Sequence, residues 1–304
     1  MELSKKIKIG TRGSRLALWQ ADFLQNQLSE IGVESELVII KTKGDQIQHL
    51  GFDKMEGKGF FTKEIEDALL RGDVDMAVHS MKDLPTTQPE GLVITAVSYR
   101  ENPSDWLLIR KEVIDEDATL KLKKEAIVGT SSARRKAQML GFRSDLELRD
   151  IRGNVPTRIE KLRKGDFDAI LLAGAGVERL QLDISDLEVI KFNVKEFVPA
   201  PAQGVLAFQV CKNDTATRRI LKNIHHSDVA LTTNVERKVL KLLDGGCQLP
   251  MGAYCERDAM GNYHLWVAMA DAWNAPVKKI RLSSSTSFQL AENAVAKLGL
   301  DVER

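Results

Sequence analysis

The chain has 304 residues, enough for two or three domains that each bury a core. Lysine and arginine total 44 against 43 aspartate and glutamate, and this near-zero balance argues against a general nucleic-acid binder, which carries a strongly basic domain. Cys211, Cys247 and Cys255 form neither a disulfide framework nor a CxxC metal site. No signal peptide or membrane span is read, so a reducing cytoplasm is the expected compartment.

The first third alternates strands and helices. Ile7 and Ile9 alternate with lysines and lead into Gly10, Thr11, Arg12, Gly13 and Ser14. A helix then starts, with Ser14 as N-cap and Leu16, Trp19, Phe23 and Leu24 on its apolar side. Residues 37–40 form a buried-strand run. From 43 to 59 the periodicity fails: the segment is polar and carries Gly44, Gly51, Gly57 and Gly59. Irregular loops of that length are lids, binding loops or disordered segments. Residues 62–71 read as a short helix stopped by Gly72. Residues 75–78 form a strand running into His79, Ser80, Met81, Lys82, Asp83, Leu84 and Pro85, and 92–97 form another. Asn102 and Pro103 mark a break.

A second α/β unit follows. Ile127 and Val128 form a short strand, residues 129–132 its turn, and 133–140 a helix closed by Gly141. Leu146 and Leu148 make a strand leading to Arg152, Gly153 and Asn154. A helix at 158–163, a strand at 168–172 and a helix opening at Gly174 come next. Two prolines and a glycine in 198–204 suggest a stiff crossover, after which strand 205–210 could return to the first sheet. The last third changes character: a helix at 229–243, strands at 252–256, 263–269 and 277–283, and a closing helix through Leu290 and Leu298. The expected class is α/β with a small C-terminal α+β domain. The expected domains are 1–102 with 203–222, then 103–202, then 223–304.

Arginines cluster at strand and helix ends. Thr130, Ser131 and Ser132 precede Arg134 and Arg135 at a helix N-terminus, where free N–H groups and the helix dipole favour an anion. Cations there oppose the dipole, which favours a ligand over a structural purpose. Arg152 and Arg158 bracket a glycine turn, Arg12 and Ser14 repeat the theme, and Arg179 follows a Gly-Ala-Gly turn. Singly, each arginine also fits a solvated surface; together, after strands of an α/β fold, they predict a ligand with several carboxylates or phosphates. No GxxxxGK[ST] stretch points to a nucleotide. Asp83 has two readings, an acid/base in a cleft or a turn cap. Cys247 follows Gly245 and Gly246 and precedes Pro250: either an inert thiol after a helix end, or one presented for attachment.

In this order, Thr11 to Ser14 with Leu16 to Gln20, Gly57-Lys58-Gly59-Phe60-Phe61, Ala77 to Asp83, Val128 to Ser132, Arg134-Arg135, Arg152-Gly153-Asn154-Val155 and Gly245-Gly246-Cys247-Gln248 resemble the hydroxymethylbilane synthase family, also called porphobilinogen deaminase. The resemblance covers almost the whole chain; Pro156 and residues 199–203 depart from the family wording beside functional positions. It implies two periplasmic-binding-protein-like lobes around a cleft plus the small C-terminal domain. It implies a transferase that condenses four porphobilinogen molecules head to tail onto a dipyrromethane cofactor. That cofactor is joined to Cys247 by a thioether; ammonia leaves at each step, and the linear tetrapyrrole is finally hydrolysed off. Each pyrrole carries an acetate and a propionate, so the growing chain is a polyanion. By the same resemblance Ser80, Lys82, Thr130, Ser131, Ser132, Arg134, Arg135 and Arg158 hold the cofactor. Arg12, Ser14, Gln20, Arg152, Arg179 and Gln203 meet substrate carboxylates. The glycines and lost periodicity at 43–59 make that segment a mobile flap over the cleft, with Lys54 and Lys58 reaching ligand carboxylates. Asp83 faces the pyrrole N–H groups and stabilises the cationic, azafulvene-like species left when ammonia departs. No metal, nucleic acid, membrane or second subunit is implied. Two rivals are a non-enzymatic carboxylate-binding protein with the same cleft and a nucleic-acid binder using the arginines on phosphates; turnover of porphobilinogen separates all three.

Overall fold

Two five-stranded sheets with one repeated strand order organise the computed structural model, which describes residues 6–42, 62–243 and 249–299. The first elements are β1 (Ile7–Thr11), α1 (Arg15–Glu30), β2 (Ser35–Ile39), α2 (Lys63–Arg71), β3 (Met76–Ser80) and β4 (Leu92–Val97). Then come β5 (Asp105–Arg110), β6 (Ile127–Gly129), α3 (Ala133–Phe142), β7 (Glu147–Arg149), α4 (Val155–Arg163), β8 (Ala169–Ala173), α5 (Gly174–Arg179) and β9 (Leu187–Lys191). The chain continues with β10 (Leu206–Cys211), α6 (Thr215–Lys222), α7 (Ser227–Leu242), β11 (Met251–Arg257), β12 (Tyr263–Met269), β13 (Lys278–Ser284) and α8 (Leu290–Lys297). By contact the chain divides into Met1–Glu101 with Gly204–Ala230, and Asn102–Gln203 with Leu231–Arg304.

In the first unit the sheet runs β2-β1-β3-β10-β4. β1 is parallel to β2 and β3, and β10 is antiparallel to both β3 and β4, so the strand after the crossover does return to this sheet. Ser14 caps α1 by accepting the Ala17 amide at 3.3 Å. The helix then buries Gln20, Ala21, Leu24 and Leu28 at helical spacing. Trp19 and Phe23 stack at 5.8 Å on the margin of that stripe. α2 stops at Gly72, whose φ of 77° closes the helix in the left-handed region.

In the second unit the order β7-β6-β8-β5-β9 repeats the pattern, with β5 antiparallel to β8 and β9. Leu107, Ile109, Ala169 and Leu171 enter one core, and Trp106, Leu108, Ile170 and Leu172 enter another. This period of two, apolar on both faces, is what helices on each side of a sheet demand. The sequence pattern predicts neither strands β5 and β9 nor helix α6, and α3 runs through Gly141 to Phe142 instead of closing there. The antiparallel sheet β11-β12-β13 packs one face on α7 and α8 through Val239, Ala253, Leu265, Val267 and Ala294. Its other face sets Trp266 and Ala268 against Val198. Gly252 is required there: any Cβ would collide with the Val198 and Pro199 carbonyls, and the Ala253 amide bonds to the Pro199 carbonyl at 3.0 Å. The architecture is the expected α/β class, two five-stranded sheets plus a small three-stranded C-terminal region. Among the described residues no helix is long and apolar enough to cross a membrane.

Candidate functional site

In the first unit the expected residues gather where β1 and β3, parallel neighbours, present their carboxyl ends. Arg12 follows β1, and Ser14 is occupied as the α1 cap. The buried Gln20 donates Nε2 to the Ser80 hydroxyl at 2.8 Å, joining α1 to the end of β3. Residues Met81–Asp83 then form one tight 3-10 turn. Its anchors are apolar: Met81 and Leu84 are buried, and the Met81 amide reaches the Val205 carbonyl at 2.9 Å. Between these anchors Lys82 is half-buried and Asp83 exposed. Among the described residues nothing donates a hydrogen bond to the Asp83 carboxylate, and the turn closes through the Leu84 amide and the Met81 carbonyl at 3.3 Å. A fixed backbone therefore holds a carboxylate whose lone pairs face outward.

Beneath that turn His79 is buried and bonded through Nε2 to Gln209 Oε1 at 3.1 Å. Burial, aided by the Arg12 charge and opposed by the Gln209 bond, pushes its pKa down from 6.5 to about 4. The ring is thus neutral in the folded protein, while the unfolded chain takes up a proton below pH 6.5. Stability therefore falls as pH falls from 6.5 towards 4, by about 3 kcal/mol in full, and this contribution is flat above 6.5. Urea midpoints at pH 7 and pH 4.5 should separate further in the wild type than in His79→Asn; equal separations would refute the assignment.

In the second unit the β6 turn is stitched to the loop after β7. Thr130 is buried, its amide bonded to the Arg149 carbonyl at 2.8 Å. The Ser131 hydroxyl donates to the Ile151 carbonyl at 2.8 Å and accepts the Ile151 amide at 3.1 Å. Ser132 caps α3 by accepting the Arg135 amide at 3.4 Å. The loop carrying Arg152 turns at Gly153, whose φ is 114° and whose missing Cβ makes room for Thr157. Asn154 then caps α4, and Arg158 donates Nε to the Gly153 carbonyl at 2.8 Å. Arg179, at the end of α5, is largely buried.

Arg134 and Arg135, expected to serve a ligand rather than a structural purpose, do have a structural partner. Both are buried on Asp105, at the head of β5. Arg134 Nη1 lies 2.6 Å from Oδ2 and 2.9 Å from the Val198 carbonyl. Arg135 grips Oδ1 through Nε and Nη2 at 3.0 and 2.7 Å. Gln203 adds a bond to Oδ1 at 3.0 Å and another to the Pro103 carbonyl at 2.8 Å. Burial alone would raise the Asp105 pKa; the guanidinium charges override it and hold the carboxyl well below the usual range. One carboxylate against two guanidiniums leaves a net positive cluster behind the three hydroxyls, at a helix start with no acidic residue in its first turn. That donor set suits a carboxylate.

Asp105, and Gln138, which clamps the Val198 amide and carbonyl at 2.7 and 2.9 Å, escaped the sequence reading. The available signal was an acid heading the apolar run Trp106, Leu107, Leu108, Ile109, where burial demands a counter-charge. Cys247, Lys54, Lys58 and the 43–59 flap lie outside the described residues.

The sequence profile of the family described as "Porphobilinogen deaminase, dipyromethane cofactor binding domain" matches residues 7–219. The chain is 42% identical to the porphobilinogen deaminase of Chloroherpeton thalassium, over 99% of this chain and 93% of that one. It is 45% identical to that of Sulfurimonas denitrificans, over 82% and 78%. A third relative, from Chlorobium phaeobacteroides, is 39% identical over 97% and 94%.

Proposed function

The chain belongs to the porphobilinogen deaminase family, and from that premise we propose that it is a hydroxymethylbilane synthase, a transferase of tetrapyrrole biosynthesis that joins four porphobilinogen molecules with loss of ammonia and releases the linear tetrapyrrole by hydrolysis. The observation that carries the reading is the Asp83 carboxylate, exposed on a turn that its own bonds do not maintain. Loss of ammonia leaves positive charge on the pyrrole system, and a carboxylate held beside it stabilises that charge as it forms.

The cofactor of this family is a dipyrromethane; when bound, it supplies the nucleophilic pyrrole carbon on which chain growth starts. The Thr130 and Ser132 hydroxyls at the α3 start, with the Ser131 backbone N–H, Arg134, Arg135 and Arg158, form a donor set that fits its carboxylates; the Ser131 hydroxyl is spent on Ile151. Ser80 and Lys82 serve the same group from the first unit. Arg12, Ser14, Gln20, Arg152 and Arg179 receive the carboxylates of incoming pyrroles, as do Lys54 and Lys58. Gln203, expected among them, is buried with both amide hydrogens on the Pro103 carbonyl and Asp105, and it supports the arginine cluster instead. Attachment at Cys247 is supported by the unsuitability of the other thiols. Cys255 is buried in the core of the small sheet. Burial raises the Cys211 pKa, and that thiol donates to the Leu69 carbonyl at 3.1 Å. The protein works as a cytoplasmic monomer with three domains, 1–102 with 203–222, 103–202 and 223–304.

Intact mass of the purified protein should exceed the sequence mass by one dipyrromethane, with the adduct mapping to Cys247. Porphobilinogen should then yield ammonia and the linear tetrapyrrole. An adduct on Cys211 or Cys255 would overturn the attachment, and an adduct-bearing protein without turnover would overturn the activity.

A further inference from the structure

One buried amide ties together both flanks of the Asp83 turn. Gln209, in β10, is fully buried and sits on the same sheet face as His79, whose strand it borders in antiparallel register. Its Oε1 accepts from His79 Nε2 at 3.1 Å, which fixes the Nε2–H tautomer of the ring. Its Nε2 donates to Glu66 Oε1 of α2 at 3.1 Å and to Gln88 Oε1 at 2.8 Å. Gln88 in turn donates Nε2 to the Pro85 carbonyl at 2.8 Å. His79 stands four residues before Asp83 and Pro85 two after it, so the relay closes a loop around the turn. Glu66 is itself buried, and its other oxygen accepts the Thr62 hydroxyl at 3.3 Å.

A core needs no such arrangement for its stability, since apolar side chains in place of the whole His79, Gln209 and Glu66 group would leave no polar atom to satisfy. What a fully satisfied polar network adds is a single geometry. Here that geometry belongs to the stretch from His79 to Pro85, which carries Ser80, Lys82 and Asp83. We propose that Gln209, acting through His79 on one side and Gln88 and Pro85 on the other, is a positioning residue that sets where the Asp83 carboxylate stands. This rests on the role given to Asp83 above. The relay touches no substrate. Ser80 and Lys82 on the same stretch hold the cofactor, so once cofactor loading is confirmed the relay reaches the reaction through the placement of one carboxylate, and its loss should lower kcat and leave KM nearly alone.

The test uses holoenzyme whose cofactor is confirmed by mass. Gln209→Met removes all three bonds at similar volume. Gln88→Met, at a half-buried loop position, cuts only the arm to Pro85 and decides the matter if Gln209→Met does not fold. Each should lower kcat for porphobilinogen about tenfold, with KM changed less than about twofold. In an Asp83→Asn background the same substitutions should lower kcat by less than about twofold further, because the group they position no longer carries charge. Normal kcat in both single variants would overturn the positioning role while leaving the function intact. The full tenfold loss repeated in the Asp83→Asn background would also overturn it, since the relay would then act elsewhere. Near-normal turnover in Asp83→Asn itself would remove the role of Asp83 and this proposal together.

Discussion

Asp83→Asn is expected to lower the rate of ammonia release about a hundredfold or more, the scale of losing one well-placed electrostatic or acid/base group. The buried side chains of Met81 and Leu84 hold the turn, so asparagine should stand where the carboxylate stood. Size is kept and charge is lost. Arg12 and Lys82 have the wrong sign to substitute. Asp83→Glu should keep part of the rate, because its charge survives at a displaced position. Single-turnover release of ammonia from mass-verified holoenzyme is the measurement. A near-normal rate in Asp83→Asn would mean that another group meets the cation.

Asp105→Asn should cost about 3–5 kcal/mol of stability, the range for removing one partner of a buried ion pair. Asp105 is 0% exposed and receives three guanidinium bonds, at 2.6, 2.7 and 3.0 Å. Asparagine would leave two buried guanidiniums side by side with no anion. The folded-state pKa of Asp105 is depressed, so its contribution is complete above the carboxylate pKa of the unfolded chain. It fades as pH falls below that value, where the unfolded chain takes up the proton first, and is spent once acid protonates the folded form as well. At neutral pH the full loss should therefore show as a lowered urea midpoint, together with poor loading of the dipyrromethane. An unchanged midpoint would mean that the pairing contributes nothing net to the fold.

Local pattern reached some of this molecule and not the rest. The cap at Ser14, the stop at Gly72 and the three C-terminal strands follow from rules that act within one turn or one strand, and each lies where the residues placed it. β5 did not follow from such rules. Its sequence opens on Asp105 and closes on Arg110, directly after a proline break, and its partners β8 and β9 are far along the chain. The placement of Arg134 and Arg135 in the first turn of a helix was legible, but their partner was not. Asp105 lies about thirty residues upstream, and only the tertiary register brings it beneath α3. Gln209 likewise sits in a strand run that reads as plain core, Leu206 to Val210, and its meaning lies in side chains from α2, β3 and a loop. For Cys247 the residues leave two readings, an inert thiol or one presented for attachment, and the family resemblance favours the second.

The return of β10 into the first sheet also sets an order of events during synthesis. Among the described residues β4 joins that sheet only through β10, which separates it from β3. When the ribosome has made the first hundred residues, β4 therefore has no partner, and the apolar edge of β3 stands open. The second sheet has no such gap, because its five strands all lie within Asp105–Lys191. The segment made later can close its sheet first, and the earlier one must wait until Cys211 has emerged. A nascent chain paused between these points carries a finished second sheet and an unfinished first one, whose bare strand edge invites pairing with other chains.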